Sequence, residues 1–543
     1  MPSRRSYRTN SEAEWNSEDE VLSLSDSDVN NGESASKESN GFKRSRRNQP
    51  RVVKKRKTED QRQESAQSNP GISKTTDSMH SDTRHYILAI GPLRTALLEW
   101  YATVHDSRSM PWRKPPEDYE TIERRSQRAY EVWVSEVMLQ QTQVITVIPY
   151  YNRWMERFPT LRELAKANVD EVNALWKGLG YYSRASRLLE GAKIAVRDYD
   201  GKLPDNAREM QAKIPGIGRY SAGAICSIAY GERVPVLDGN VHRLLSRFLA
   251  LHSPPKAKAT LDILWNAARI IVQEQDEEED LPHPGDINQA LIELGSTICK
   301  VRNPSCEVCP LRLRCLAYTL APPSGNTPIS DIEDACKVCE PMETEWTVTA
   351  FPMKIDRKKA REELDVINIV EWRRDITSDE RLFLLIKRPM TGLLAGLLDF
   401  ASSVDVSKDI SEEKTKSTSL ELLGKIFGQT FSEPLAPLHS EEGGCNKACE
   451  VKITKMVVWV LLTGDDKPPE LSRHFTLIKP FGEIPKRKGQ QNTGEGTMTA
   501  SEHGVWVSFT EVKDATMGTG SMKVWNMAQT TWETTSKFFR NQK

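Results

Sequence analysis

Four cysteines fall within seventeen residues, as Cys299-x6-Cys306-x2-Cys309-x5-Cys315, in a chain of 543 residues that has only nine cysteines altogether. Nothing else in the sequence restricts the fold as strongly. Nine cysteines are too few for a disulfide scaffold. Thiolates at this spacing can close around one metal centre instead. A structural zinc would accept them, and so would a cubane iron–sulfur cluster. Arg302, Arg312 and Arg314 stud the same loop. As bland surface they would only solvate it; beside a metal-stapled loop they suit phosphate contacts.

The loop closes a helical region. Across residues 85–320 Trp, Leu, Ile, Val and Ala recur at three- and four-residue spacing, which predicts many short helices. Examples are RTALLEWYATV, VDEVNALWKGLG, RASRLLEGAKIAVRDY, NQALIELGSTICK and one long stretch from Tyr130 to Phe158. Residues 1–84 are dominated by Ser, Asn, Asp, Glu, Lys and Arg and are expected to be disordered. Within them nine of the fifteen residues from Lys43 to Lys57 are basic and none is acidic, which points to nuclear import. A nuclear compartment is reducing, so a disulfide explanation of the four cysteines is poor. Gln273–Asp280 is an acidic run expected to be a solvated loop, and 321–345 a linker. From Trp346 to about residue 530 strands are expected at TVTAFPMKI, VINIVEW, RLFLLIKR, KMVVWVLL and GVWVSFTEV, interrupted by a Ser/Glu/Lys-rich stretch at 401–418. That half is α+β, and 531–543 is a tail. No run of eighteen apolar residues and no secretory signal is visible, so a membrane span is not expected. The formal net charge of −1 says nothing about partners.

Two further segments carry chemistry. IPGIGRYSAGAI, Ile214–Ile225, reads as a tight turn between helices, a hairpin over about 204–230. Gly216 and Gly218 would let backbone N–H groups approach a phosphate at the new helix start. A plain helix–helix turn has the same pattern. Twenty residues on, Asp238 opens the amphipathic stretch NVHRLLSRFL, where it could be no more than an N-cap. In WVSEVMLQQTQV, Glu136 stands among Val132, Trp133, Val134, Val137 and Met138. Burial there would raise its pKa and keep a proton available near neutrality; on a polar stripe it would simply meet water. The following Gln140, Gln141, Thr142 and Gln143 suit base edges.

Together WVSEVMLQQTQV, GLGYYSRA, IPGIGRYSAGAI, VLDGNVHR, ALIELGSTIC and the four-cysteine loop resemble the adenine DNA glycosylase (MutY) family of helix-hairpin-helix base-excision enzymes, from about Leu97 to Tyr318. TGLLAGLLDF, Thr391–Phe400, resembles part of that family's C-terminal Nudix-like domain. The resemblance implies an all-α glycosylase domain with one 4Fe–4S cluster on Cys299, Cys306, Cys309 and Cys315, followed by an α+β Nudix-like domain. It implies a substrate: adenine opposite 8-oxoguanine in duplex DNA, flipped out of the stack. Glu136 would protonate adenine N7, and Asp238 would stabilise an oxocarbenium sugar. Asn240 and Tyr220 would position the sugar side and the water. Trp112, Arg113, Leu139 and Glu293 would line the adenine pocket, with core packing as the plain alternative for Trp112 and Leu139. Gln141 and Tyr181 would wedge into the duplex, with core packing as the plain alternative for Tyr181 and with Thr142 on the same DNA-binding surface. Relatives that also cut the strand carry a lysine where this chain has Tyr220, so base removal without strong strand cleavage is expected. A bifunctional lyase resembling endonuclease III and a non-catalytic mismatch-binding scaffold are the alternatives.

Four further expectations come from the same resemblance. The C-terminal domain lacks the Glu-rich magnesium helix of a Nudix hydrolase and should read the opposite strand. Its Phe-Ser-His lesion loop is not matched: CNKACEVKIT precedes the strand, and His439 and Ser440 are weak stand-ins. Cys336 and Cys339 supply only half a zinc tetrahedron, for which His85 is the best local partner and His80 a poorer one. Ile332 and Glu333 resemble a checkpoint-clamp docking segment, and WETTSKFF ends in the paired aromatics of a sliding-clamp box, with Trp532 where that box has glutamine and Thr535 where it has an aliphatic residue. A monomer is expected, in the nucleus and partly in mitochondria.

Overall fold

The computed structural model describes residues 80–540 apart from 88, 115–120, 275–280, 321–335, 343–345, 356–360, 376–377, 390–393, 395, 408–409, 430–435, 442–450, 465, 473–474 and 478–501. The basic segment 43–57, residues 332–333 and most of the acidic run therefore lie outside the described residues.

The N-terminal half is helical: α1 (Ile90–Val104), α2 (Ile122–Leu139), α3 (Val144–Arg157), α4 (Leu161–Lys166), α5 (Val169–Trp176), α6 (Ser183–Asp198), α7 (Ala207–Lys213), α8 (Arg219–Ile225), α9 (Gly239–Phe248), α10 (Lys258–Gln273), α11 (Pro284–Thr297) and α12 (Leu316–Thr319). The long helical stretch expected from Tyr130 to Phe158 is two helices. Gln141 sits at φ 55°, a left-handed conformation that no helix can pass through. Side-chain caps set several starts: Thr121, Thr160, Asn168, Asn206 and Asp238 each accept a bond from the backbone amide three residues on. From Arg128 onward α2 is buried almost all round, with Tyr130, Trp133, Val134, Val137 and Met138 in the core. A short 3-10 turn, Asp82–His85, begins inside the segment 1–84 expected to be disordered, and His85 is buried.

The C-terminal half contains, among the described residues, an eight-stranded mixed sheet: β1 (Arg361–Arg373), β2 (Leu382–Lys387), β3 (Leu398–Asp399), β4 (Ala401–Val406), β5 (Ala436–Glu441), β6 (Val451–Thr463), β7 (Phe475–Leu477) and β8 (Glu502–Ser508). The main order is β5-β6-β1-β2-β8-β7, with β1 and β6 parallel over thirteen pairs. Alternation sends Ile367, Ile369, Phe383, Val457, Trp459, Val505 and Val507 to one face and Val366, Val370, Leu384, Val458, Val460 and Trp506 to the other. α13 (Glu412–Phe427) covers the second face through Leu423, Ile426 and Phe427. α14 (Glu511–Asp514) and α15 (Thr519–Arg540) follow β8, and Val524 and Trp525 of α15 cover the first face. Both faces are buried, so the strands read as continuous apolar runs. This layered α+β arrangement is the one expected of a Nudix-like domain.

Three expectations need correction. TVTAFPMKI is not a strand: Val348–Ala350 forms a 3-10 turn, and proline follows Phe351. The polar stretch 401–418 does not interrupt the strands along its whole length: it supplies β4 before leaving the sheet for the first turns of α13, where Ser411 caps the helix. The tail expected from residue 531 continues α15 to Arg540. His439 and Ser440 lie in β5, paired with β6. Among the described residues no helix is long and apolar enough to cross a membrane.

Candidate active site

One cleft of about 1730 Å³ gathers most of the expected site. Glu136, Tyr220, Asp238, Asn240, Trp112, Arg113, Leu139, Gln141, Thr142, Tyr181 and Glu293 all line it. Small-molecule pockets span roughly 300–1,000 Å³, so this cleft suits part of a macromolecule. Gly216 and Gly218 are not among its lining residues; they form the turn between α7 and α8. Gly216 needs its φ of 80°, and a Cβ there would meet the Arg187 side chain at 2.9 Å.

Glu136 projects from α2 with its apolar neighbours turned into the core. It is half-buried rather than immersed, because it faces the cleft. The acid that α2 does bury is Glu131, which meets Lys114 at 2.7 Å and Arg128 at 3.7 Å. The Tyr220 hydroxyl donates to Glu136 Oε2 at 2.8 Å. The phenol expected on the sugar side therefore holds the first carboxylate.

Asp238 is indeed the N-cap of α9: its Oδ1 accepts from Val241 N at 2.7 Å. Its Oδ2 accepts from Asn240 Nδ2 at 2.7 Å, so capping and presentation to the cleft coexist. Burial pushes the carboxyl above its ordinary range, against the pull of the Val241 and Asn240 amides, the Asn240 side chain and the Arg243 guanidinium. Arg243 Nη2 donates to Asn240 Oδ1 at 3.0 Å and to Gly295 O at 2.7 Å. A Cβ at Gly295 would lie 2.7 Å from Asn240 O, so only glycine lets α11 support this loop so closely.

Glu293 is fully buried and accepts from Arg113 Nη2 at 2.6 Å and from Arg108 Nη1 at 3.1 Å. Two guanidiniums thus orient its oxygens beside the cleft. Trp112 is buried edge-on to Tyr151 and also lines the cleft. Gln141 at φ 55° and Tyr181 at φ 49° stand on tight left-handed turns beside it.

Cys299, Cys306, Cys309 and Cys315 line one cavity with Leu244, Phe248, Ile298 and Leu311. Burial pushes the Cys309 thiol up to about 11 and Cys315 to about 12, and raises Cys306. Arg247 Nη1 lies 3.3 Å from Cys299 Sγ. A second cluster is tighter. The ligand atoms of His80, His85, Cys336 and Cys339 all lie within 4.8 Å of one another, the single such group of His, Cys, Asp and Glu found among the described residues. His85 Nε2 is 3.4 Å from Cys336 Sγ, 3.3 Å from Cys339 Sγ and 3.0 Å from His80 Nε2. The two histidines are partners here, not alternatives. By the same 4.8 Å measure the four loop thiols form no such group.

Sequence reasoning missed Arg108, Arg243 and Arg247. A signal existed for two of them: Arg243 and Arg247 stand four apart and so share one side of a ten-residue helix.

Residues 134–269 match the model of the HhH-GPD superfamily of base excision DNA repair proteins. That is the class to which the hairpin and the cleft belong. The chain is 39% identical to the adenine DNA glycosylase of Homo sapiens over 398 residues, covering 70% of this chain and 68% of that one. It is 40% identical to that of Schizosaccharomyces pombe over 346 residues, covering 60% and 72%, and 42% identical to that of Rattus norvegicus over 329 residues, covering 58% and 61%. The chain belongs to the adenine DNA glycosylase family and is a DNA-binding hydrolase of N-glycosyl bonds.

Proposed function

We propose that the chain removes adenine mispaired with 8-oxoguanine, or with guanine, from duplex DNA without cutting the strand. The observation that carries this is the convergence of Glu136 and Asp238 on one cleft, each carboxylate held by its own neutral partner. Glu136 donates its proton to adenine N7. The C1′–N9 bond then breaks, and its electron pair leaves with the base. Asp238 faces the cationic sugar. Water adds to C1′, and its proton returns to Glu136. Glu293, Arg113 and Arg108 offer acceptor and donor groups to the adenine edge. Tyr220 presents a phenol where a lyase needs an amine, which supports an intact abasic product. The test is incubation with duplex containing adenine opposite 8-oxoguanine, and separately opposite guanine. Nicking that depends on alkali is the expected result. Nicking without alkali supports the lyase, and binding with no abasic product supports the scaffold. Because the lesion loop departs from the family's Phe-Ser-His, the ratio of the two rates reports how far this chain discriminates 8-oxoguanine.

The four loop thiols suit a 4Fe–4S cluster. They share an apolar cavity, and burial disfavours Cys306, Cys309 and Cys315 as free thiolates. When bound, the cluster supplies a rigid staple for residues 299–315. The linker group suits zinc: two sulfurs and two imidazole nitrogens make a tetrahedral donor set, and His85 Nδ1 is fixed by Leu249 O at 3.0 Å. The thiol of Cys339 and both imidazoles hold Cys336 below the ordinary thiol range. Zinc there ties 80–85, the turn after α9 and the linker together. About one zinc per chain is expected by elemental analysis, lost in Cys336→Ser and in His80→Ala with iron content unchanged. Saturating metal contributes about 4 kcal/mol at a thousandfold excess over Kd, so the melting temperature should drop by roughly 10 °C. An unchanged zinc content in both variants excludes the site. Docking of the C-terminal WETTSKFF and of residues 332–333 on clamps, and nuclear import through 43–57, remain proposals from sequence.

A further inference from the structure

We infer that Arg184 is the positioning residue that locks the Gln141 loop and the Tyr181 loop into a single rigid wedge. The inference rests on the proposed role of those two side chains in the duplex. Arg184 stands in the first turn of α6 and is buried. Its Nη1 donates to Val137 O at 2.7 Å, Met138 O at 3.1 Å and Gln140 O at 2.8 Å. Its Nη2 donates to Gly180 O at 3.1 Å and Leu179 O at 3.4 Å. One guanidinium therefore joins two segments about forty residues apart in sequence.

Each segment needs such a partner. The carbonyls of Val137 and Met138 belong to the last turn of α2, where no following helical amide remains to bond them. The chain leaves that turn through Gln141 at φ 55°. The second loop passes through Gly178 at φ 97°, Gly180 at φ 79° and Tyr181 at φ 49°. Left-handed backbone at a glutamine and a tyrosine persists only where the surroundings hold it. On the second loop those surroundings are visible. Trp176 Nε1 donates to Gly180 O at 2.9 Å, Tyr150 Oη to Lys177 O at 2.9 Å, and Gly178 N to Tyr182 Oη at 3.2 Å. Arg184 is the group that extends this network to the end of α2. Its guanidinium carbon also lies 5.3 Å from the Trp176 ring and 5.6 Å from the Tyr181 ring. Burial lowers its pKa to about 10, so it is still charged at neutral pH.

The consequence is mechanical. Holding a base outside the stack requires side chains that do not yield when the duplex recloses. Two loops moving separately would each yield; tied through one planar fork they resist together. A lysine keeps the charge but offers a single point, and cannot span both sets of carbonyls.

The test compares wild type with Arg184→Lys on two substrates. One is a fully paired duplex around the adenine mispair. The other is the same mispair inside a bubble of several unpaired bases, where the stack is already open. The expected result is a fall in single-turnover excision of about tenfold to a hundredfold on the paired duplex, with the bubble rate unchanged. An equal loss on both substrates, or no loss on either, overturns the inference. Gln141→Ala and Tyr181→Ala serve as controls for the wedge itself: if both excise normally from the paired duplex, the wedge reading fails, and this inference with it. If they lose activity and Arg184→Lys does not, only the positioning role fails. Should Arg184→Lys not melt cooperatively, hydrogen exchange on the wild-type chain decides. The amides of 140–142 and 178–182 are expected to open together, and independent opening overturns the shared lock.

Discussion

Asp238→Asn is expected to lower the single-turnover rate of adenine removal by about 10²–10³-fold while duplex binding is kept. The substitution is close to a pure test of charge. Asparagine caps a helix about as well as aspartate, so the bond from Val241 N survives and α9 still starts where it did. What disappears is the negative charge facing the sugar. The amide also places a donor against Asn240 Nδ2, which now donates to Oδ2. Some of the loss can therefore arise from a turned Asn240, and a parallel Asn240→Ala variant measures that part. The raised pKa of Asp238 sets two signs. Excision needs the carboxylate, so the acid limb of the rate should lie above the ordinary carboxylate range and activity should fall as pH drops through it. Stability runs the other way. A carboxyl whose folded pKa is raised favours the folded state most when protonated, and that contribution is lost as pH rises through the folded value. Asp238→Asn should then be no less stable than wild type at neutral pH, by thermal melting. If the residue were only a cap, excision would stay near wild type and the catalytic reading would be lost.

The same residue shows how much was legible in the sequence and why. Asp238 is placed by local rules: twenty residues after the hairpin turn, before an amphipathic run, at a position where N-cap chemistry already favours it. The four cysteines and the hairpin glycines are local as well. Glu136 is harder. A periodic apolar segment places it on α2, but whether it is buried or faces a cleft depends on Tyr220, eighty-four residues away. The break after Leu139 was not legible, because QQTQV contains neither glycine nor proline; the turn depends on Arg184 bonding the free carbonyls. Arg108 joins Glu293 across 185 positions, and no periodicity reports such a pairing. In the C-terminal half the strands followed from β-branched runs. TVTAFPMKI also looked like one, but the chain turns there at Phe351–Pro352, and Arg247 Nε bonds Phe351 O at 3.0 Å. The stretch at 401–418 looked like a break because its polar residues from Glu412 on belong to the exposed side of the first turns of α13, with Thr415 the buried exception.

Glu136→Gln is expected to cost about 10²–10⁴-fold in excision, the range for loss of a general acid. The geometry makes the variant clean. Glutamine keeps the length and offers Oε1 to the Tyr220 hydroxyl, so the 2.8 Å bond that orients the side chain can persist. What it cannot do is release a proton to N7. The two substitutions then separate two contributions to one bond cleavage. If the proton and the anionic carboxylate act at the same instant, removing both should cost much less than the product of the single losses, because either defect already leaves the C1′–N9 bond uncleaved by the enzyme's own route. If they act on different steps, the losses should multiply. An N7-methylated adenine analogue gives a further discrimination. Its ring already carries the positive charge that protonation would create, so Glu136→Gln should release it at close to the wild-type rate while Asp238→Asn should not. Slow release of the analogue by Glu136→Gln would remove Glu136 from the role of proton donor. Tyr220→Phe completes the series: it leaves the acid in place and removes only the bond that aims it, so its loss should be partial and larger for adenine than for the methylated base.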